Sequence, residues 1–373
     1  MKKYRTWAEI NLGQLKENLL ELKSRVGPAV KILVVVKADA YGHGAGPVAK
    51  TVLENGAAMV GVGDSNEAIQ LRQNGILAPI LILGALIEEE IGWLVSYDIT
   101  PTIHSMDLVG MLNDEAKRQG KRLKVHLKVD TGLTRLGASP KRAVEIAHKI
   151  VAASNLELEG VSTHFAASND PKEKEFTKRQ ISIFKEVVKQ LEQEDINIPL
   201  KHIANTGAIY QCVSSYFNMV RPGGVLYGID PGVLCDGMGI KFKPILSLKS
   251  QITFLKIVPA GTAVGYGMTY RTTKRSRIVT IPVGYNDGYP YHLGNKGMVL
   301  IQGRRAPVVG RVSMDYITVD ITALNGVKVG DEVVLIGRQR EEEIRVEELA
   351  RITATTPYVI TCGLGKRVHR VYL

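Results

Sequence analysis

Eight short apolar, β-branched runs alternate with helical stretches between residues 32 and 228, and no other feature constrains the chain as tightly. The runs are Ile32–Val36, Met59–Gly63, Ile80–Gly84, Asp98–Ile103, Lys124–Asp130, Leu158–Phe165, Lys201–Thr206 and Val220–Gly228. Between them, Ala45–Asn55, Ser65–Asn74, Glu88–Val95, Ser105–Gln119, Ser139–Ala153, Lys172–Glu194 and Thr206–Ser215 read as helices. The clearest is "ASPKRAVEIAHKIV": Ser139 takes the cap position, Pro140 the first helical position, and Ala143, Ile146, Ala147, Ile150 and Val151 share a face. Ser65 and Ser105 read as similar caps, with Glu67 early in its helix. Strands that are apolar nearly throughout are buried on both faces, so the alternation predicts a (β/α)8 barrel of parallel strands. An open doubly wound sheet is the rival, but no GxGxxG follows the first strand.

After about residue 240 the pattern changes. "SLKSQITFLKIV", "RIVTIPVGY", "GMVLIQGRRAPVVGRVSMDYITVDIT" and "GDEVVLIG" read as strands separated by turn residues, and one helix, "RVEELARIT", precedes a last strand at "KRVHRVYL". The chain therefore divides into a barrel over 9–238 and a mostly antiparallel β domain over 239–373, with residues 1–8 left open to join the latter.

Composition removes several function classes. The 373 residues are 45% hydrophobic and 23% charged, as in ordinary soluble domains, and no run approaches the roughly 18 apolar residues of a membrane span. "MKKYRTWAEINLG" has no apolar core of a secretory signal. Cys212, Cys235 and Cys362 are odd in number and lack CxxC spacing, which points to a reducing, cytoplasmic setting without structural zinc. The eight histidines form no HExxH pair, so no metal is expected. A net charge of +11 raises nucleic acid as a partner, but Lys and Arg are interleaved with Asp and Glu, and a solvated mixed surface is expected instead.

In such a barrel, catalytic groups collect where strands end and the next loops begin. Those ends carry Lys37, Lys128, Asp130 with Arg135 following, His164, Asn205, Thr206, Arg221, Gly223 and Gly224. Cationic and hydrogen-bonding groups beside glycine suit an anion, phosphate above all. Lys37, in "VVVKADAYGHG", ends a buried strand. A lysine partly desolvated at a barrel mouth becomes a nucleophile for aldehydes, and with a phosphate-accepting loop nearby this suggests pyridoxal phosphate.

"VVKADAYGHG", "KVDTGLTRLG", "VSTHFA", "IANT", "VRPGGVLYG", "GYGMTY", "IPVGYNDGY", "GRVSMD" and "TPYVITC" follow one another along the chain. In that order they resemble the alanine racemase family over essentially the whole length of the sequence. Each alone is weak, and the ordered set is specific. The resemblance implies pyridoxal 5'-phosphate held through Lys37, with Lys37 and Tyr266 as the two acid/base groups. Tyr266 would come from the other subunit of a homodimer with shared active sites. Tyr41, Thr206, Gly223, Gly224 and Tyr358 would hold the phosphate, with Asn205 beside them. Arg221 would face the pyridine nitrogen, backed by His164. Arg135 would meet the cofactor phenolate and the substrate carboxylate, with Lys128 beside it, carbamylated in many relatives. Met314 (through its backbone), Asp315 and Tyr285 would complete the substrate site. The implied activity interconverts L- and D-alanine, supplying D-alanine for peptidoglycan.

Racemisation removes a proton on one face of the α-carbon and returns one on the other, so two groups must flank one plane. The chain departs from the family where relatives usually carry an aspartate, at Asn169, and an arginine, at Tyr291. Losing both members of a charge pair leaves neither unpaired, and it opens the alternative of a broader-specificity racemase acting on serine or other small amino acids. A decarboxylase with the same two-domain plan is the rival within enzymes, and a non-catalytic cofactor carrier the rival outside them. "GYGMTY" and "GRVSMD" argue against the first, the β domain against the second.

Overall fold

The computed structural model describes residues 4–230 and 242–373. Strand β1 (Thr6–Ile10) leads into α1 (Leu12–Val26), whose first turn is capped by the Asn11 side chain accepting from the Gln14 amide. The barrel follows as β2 (Lys31–Val35), α2 (Lys37–Gly42), α3 (Ala45–Glu54), β3 (Met59–Val62), α4 (Ser65–Gln73), β4 (Ile80–Ile82), α5 (Ile91–Ser96) and β5 (Thr102–Ile103). It continues as α6 (Met106–Arg118), β6 (Leu123–Lys128), α7 (Pro140–Ala152), β7 (Leu156–Ser162), α8 (Lys174–Gln193), β8 (Leu200–Asn205), α9 (Thr206–Gln211) and β9 (Met219–Arg221).

The eight strands β2 to β9 form one sheet in the order β4-β3-β2-β9-β8-β7-β6-β5, every pair parallel. The two ends meet through Thr100, which accepts from the Ile82 amide and donates to the Ile80 carbonyl, each at 3.0 Å. The sheet is thus the barrel that the alternation predicts.

Local corrections have physical causes. Val220–Gly228 is a strand only to Arg221; Gly224–Tyr227 is a short 3-10 turn, which the glycines permit. Asp64, not Ser65, caps α4, its carboxylate accepting from the Glu67 amide. In α7 the face of Ala143, Ile146, Ala147 and Ile150 is buried, whereas Val151 points to solvent with 58% exposure. Helix α1 is not among the helices expected of the sequence, although Leu15, Leu19, Leu22 and Val26 bury one side at helical spacing.

The second domain comprises β10 (Leu246–Gln251), β11 (Phe254–Val258), β12 (Ala263–Val264), β13 (Tyr270–Arg271), β14 (Ser276–Ile281), β15 (Met298–Ile301), β16 (Arg304–Pro307), β17 (Ile317–Asp320), β18 (Glu332–Gln339) and β19 (Glu342–Ile344). Two helices, α10 (Val346–Ile352) and α11 (Pro357–Cys362), precede β20 (His369–Tyr372), where the sequence had suggested one. One sheet runs β16-β15-β18-β10-β1-β20, antiparallel except for β1 against β20; another runs β11-β14-β17. Strand β1 therefore lies inside the C-terminal sheet. The boundary expected at 238 and 239 falls outside the described residues.

Candidate active site

Strand β2 stops at Val35, and the exposed Lys37 opens a turn with an unusual backbone. Ala38, Asp39, Ala40 and Tyr41 all have φ between 52° and 56°, one turn of left-handed helix built from four L-residues without glycine. Each costs roughly 1–2 kcal/mol against the right-handed form, so the surroundings must impose it. The Glu67 carboxylate accepts from the Ala38 amide at 2.5 Å and from the Gly63 amide at 2.7 Å. Asp39 Oδ1 accepts from the Ala45 amide at 2.7 Å. His43 Nδ1–H donates to the carbonyls of Ala40 and Tyr41, at 2.9 and 3.0 Å. Burial pushes that imidazole down to about 4, so it is neutral. From β20, Arg370 donates twice to the Gly42 carbonyl at 3.2 Å. The sequence reading gave Asp39, His43 and Arg370 no role and Glu67 only a place in its helix.

A small cradle forms between this turn, the end of β9 and α11. Thr206 Oγ1 accepts from the Gly223 amide at 3.2 Å. A Cβ on Gly223 would stand 2.6 Å from the Tyr41 hydroxyl, and one on Gly224 would stand 2.4 Å from the Tyr358 ring. The Tyr41 and Tyr358 rings lie 5.4 Å apart. Burial raises both phenols above their ordinary range, so both remain hydrogen-bond donors. Asn205 accepts from the Ala208 amide at 3.1 Å and from Ser168 Oγ at 2.6 Å, which fixes where Thr206 starts its helix. The two glycines thus make room for the two tyrosines, which brings three hydroxyls and the backbone of Gly223 and Gly224 together at one place.

Arg221 is buried in the barrel below this cradle. Its Nη1 donates to His202 Nδ1 at 2.8 Å and to the His202 carbonyl at 2.7 Å. Its Nη2 donates to the Thr163 carbonyl at 2.7 Å and reaches His164 Nδ1 and the Ile203 carbonyl, both at 3.2 Å. Of the five N–H groups of a guanidinium, Nε–H alone meets no acceptor among the described residues. Burial brings Arg221 down to about 10 and holds His164 well below its usual value, so the first stays charged and the second neutral.

Lys128 ends β6 almost buried, and among the described residues its ammonium has only a long contact of 3.4 Å to the Leu83 carbonyl. Burial, then Arg221, Arg135 and Lys37, push its ammonium down to about 8. The exposed Arg135 projects from a loop pinned by Asp130 Oδ1, which accepts from Gly132 and Thr134. One rim thus gathers Lys37, Tyr41, Lys128, Arg135, His164, Asn205, Thr206, Arg221, Gly223, Gly224 and Tyr358.

The remaining sequence-derived residues lie elsewhere. Among the described residues, no hydrogen bond, ion pair or ring contact joins Tyr266, Tyr285, Met314 or Asp315 to that rim. Tyr266 stands 74% exposed in a turn whose flanking Gly265 and Gly267 both have positive φ. Arg311, Ser313 and Tyr316 line an open hollow beside it. Arg367 holds Asp315 at 2.7 Å and also binds Asp287. Met268, Met314, Tyr316, Tyr285 and Tyr291 are exposed on the same domain, the last two with rings 6.3 Å apart. Asn169 sits against Gly207 near the cradle, so it and Tyr291 belong to different domains.

Comparison with known proteins gives a consistent result. The family model "Alanine racemase, N-terminal domain" matches residues 10–231, and "Alanine racemase, C-terminal domain" matches 245–372. The alanine racemase of Halothermothrix orenii is 44% identical over 367 residues, covering 98% of this chain and 96% of that one. The solved alanine racemase of Clostridium difficile 630 superposes with a TM-score of 0.93 at 38% identity, over 100% of this chain and 97% of that one. The alanine racemase of Bartonella henselae, solved with covalently bound pyridoxal phosphate, gives 0.87 at 29% identity over both full chains.

Proposed function

This chain belongs to the alanine racemase family and interconverts L-alanine and D-alanine; from that premise we propose that Lys37 and Tyr266 of the partner subunit are its two acid/base groups. The similarity to alanine racemases across both domains favours alanine over the broader-specificity alternative raised by Asn169 and Tyr291.

The family depends on pyridoxal phosphate, and one observation supports its fit here above the others: the Nε–H of Arg221, without an acceptor among the described residues, shares a rim with a glycine-lined cradle and an exposed lysine. Bound there, pyridoxal phosphate supplies the electron sink that makes the α-proton removable. Lys37 would anchor it. Tyr41, Thr206 and Tyr358 would donate to the phosphate together with the amide of Gly224; Gly223, whose amide donates to Thr206 Oγ1, would line it, and Asn205 keeps Thr206 in place. The Arg221 Nε–H would face the ring nitrogen, and a guanidinium does not release that proton readily, which leaves the ring unprotonated. His164 supports Arg221 from the other side.

Arg135 would receive the substrate carboxylate, since its guanidinium is exposed and, among the described residues, forms no ion pair. Lys37 then holds or takes a proton at Nζ on one face of the α-carbon. The Tyr266 hydroxyl does so on the opposite face, with Met314, Asp315 and Tyr285 closing the site. These groups sit on an exposed, aromatic-rich face of the β domain, the kind of surface that a second copy covers. A homodimer with shared sites is therefore the assembly we infer. Lys128, nearly buried among cations and only about half charged near pH 8, is suited to carbamylation, which would set an anion between Arg135 and Arg221. We place the protein in the cytoplasm, supplying D-alanine for peptidoglycan. In support, Cys212 and Cys362 are free thiols; Cys235 lies outside the described residues. Among the described residues, no helix is long and apolar enough to cross a membrane.

Borohydride treatment of the holoprotein followed by peptide mapping tests the assignment. The expected result is cofactor on Lys37 alone; recovery on another lysine overturns it.

A further inference from the structure

Behind Arg221 a line of hydrogen bonds runs through the barrel wall away from the rim. Arg221 Nη1 meets His202 Nδ1 at 2.8 Å, His202 Nε2 meets His126 Nδ1 at 2.8 Å, and His126 Nε2 meets Glu159 Oε2 at 3.2 Å. Glu159 Oε1 accepts from Lys124 at 2.9 Å, near the opposite end of β6. Both imidazoles are fully buried. Gly160 makes room for the first of them: a Cβ there would stand 2.7 Å from the His126 ring.

Both ends of this line dictate its direction. An arginine donates only, so His202 Nδ1 must accept and its Nε2 must carry the hydrogen. An ionised carboxylate accepts only, so His126 Nε2 must carry its hydrogen and Nδ1 must accept. The two demands agree in the middle, where His202 Nε2–H donates to His126 Nδ1. A reversed line would set hydrogen against hydrogen at Arg221 and lone pair against lone pair at Glu159. Burial works against the Glu159 charge, but the bonds from His126 and Lys124 outweigh it and hold the carboxyl down at about 2. Burial keeps His126 and His202 neutral.

We propose that Glu159, charged by its pairing with Lys124, is a positioning residue for racemisation: through the tautomers of His126 and His202 it fixes the acceptor that orients Arg221. The inference rests on the reading that Arg221 faces the cofactor ring. Nothing in the line transfers a proton, because both ends hold their charge throughout.

Glu159→Gln, nearly isosteric, is the informative change. The one oxygen of its amide turns to Lys124, so its NH2 group faces His126 Nε2 and reverses the line. In protein labelled with 15N-histidine, the parent should show His126 and His202 as neutral Nε2–H tautomers from about pH 6 to 9. Glu159→Gln should add Nδ1–H tautomers and lower kcat about tenfold with KM within about twofold, as for other groups that orient a site residue indirectly. Adding Lys124→Met frees the amide oxygen to face His126. It should restore the parent tautomers and bring kcat within about threefold of the parent. The tautomers are also read in protein stripped of cofactor, so they stand or fall apart from the cofactor reading. A parent His202 carrying hydrogen on Nδ1, a Glu159→Gln protein with unchanged tautomers and kcat, or no rescue by Lys124→Met overturns the proposal.

Discussion

The carboxylate of Glu67 meets the backbone amide of Ala38 at 2.5 Å, and this bond sets the direction in which the neighbouring Lys37 leaves its strand. The same carboxylate binds Gly63, so both oxygens are engaged. Glu67→Gln keeps the size but offers one acceptor to two amide donors. We expect a loss of about 1 kcal/mol in stability, the low end for a donor left without its partner, since Ala38 is exposed and Gly63 only half-buried. Urea unfolding should measure it, and cofactor affinity should weaken in the same variant.

Gly224→Ala should close the cradle. The added methyl would stand 2.4 Å from the Tyr358 ring, which would have to shift. Overpacking of this kind costs about 1–3 kcal/mol, or roughly five- to 150-fold in the affinity for pyridoxal phosphate. Titrating the stripped protein with cofactor gives the number, and Tyr358→Ala added to Gly224→Ala should relieve part of the loss.

Lys128 makes stability depend on pH. Its folded-state value of about 8 lies below the ~10.4 of an unfolded lysine, so between the two the unfolded chain binds more protons. Without carbon dioxide, stability should therefore rise with pH across that window, and the penalty should be fully present below pH ~8. Lys128→Met should stabilise the protein at neutral pH and lose that advantage above ~10.4. With 13C-bicarbonate, the parent should show a carbamate carbon signal that Lys128→Arg lacks.

Some of this was legible in the sequence, and the boundary has physical reasons. Lys37, Lys128 and Arg221 stand where apolar strands stop, and a period-based reading finds such places. Arg221 is followed by Pro222 and two glycines, which mark the end of a strand as well. The left-handed turn after Lys37 was not legible: Ala-Asp-Ala-Tyr carries no glycine, and only the clamp from Glu67, His43 and Arg370 imposes it. The helix bearing Tyr358 is six residues long, too short for periodicity to show. Nothing in the local sequence marks His126 and His202, because partners 33 and 76 residues apart meet only when the barrel closes.

The shared site we propose draws Lys37 from one protomer and Tyr266 from the other. Within a single chain the first lies on the barrel rim and the second on an exposed turn of the β domain, with no contact between them among the described residues. Purified Lys37→Ala and Tyr266→Phe proteins should each be nearly inactive, the latter by about 10²–10⁴-fold with cofactor still bound. Mixed in equal amounts under conditions of subunit exchange, half the dimers are hybrids, and each hybrid carries one intact site of two. The mixture should therefore recover about a quarter of parental alanine racemisation. Recovery near that level is the result expected; none, with hybrid dimers shown by native mass spectrometry, would contradict the shared site.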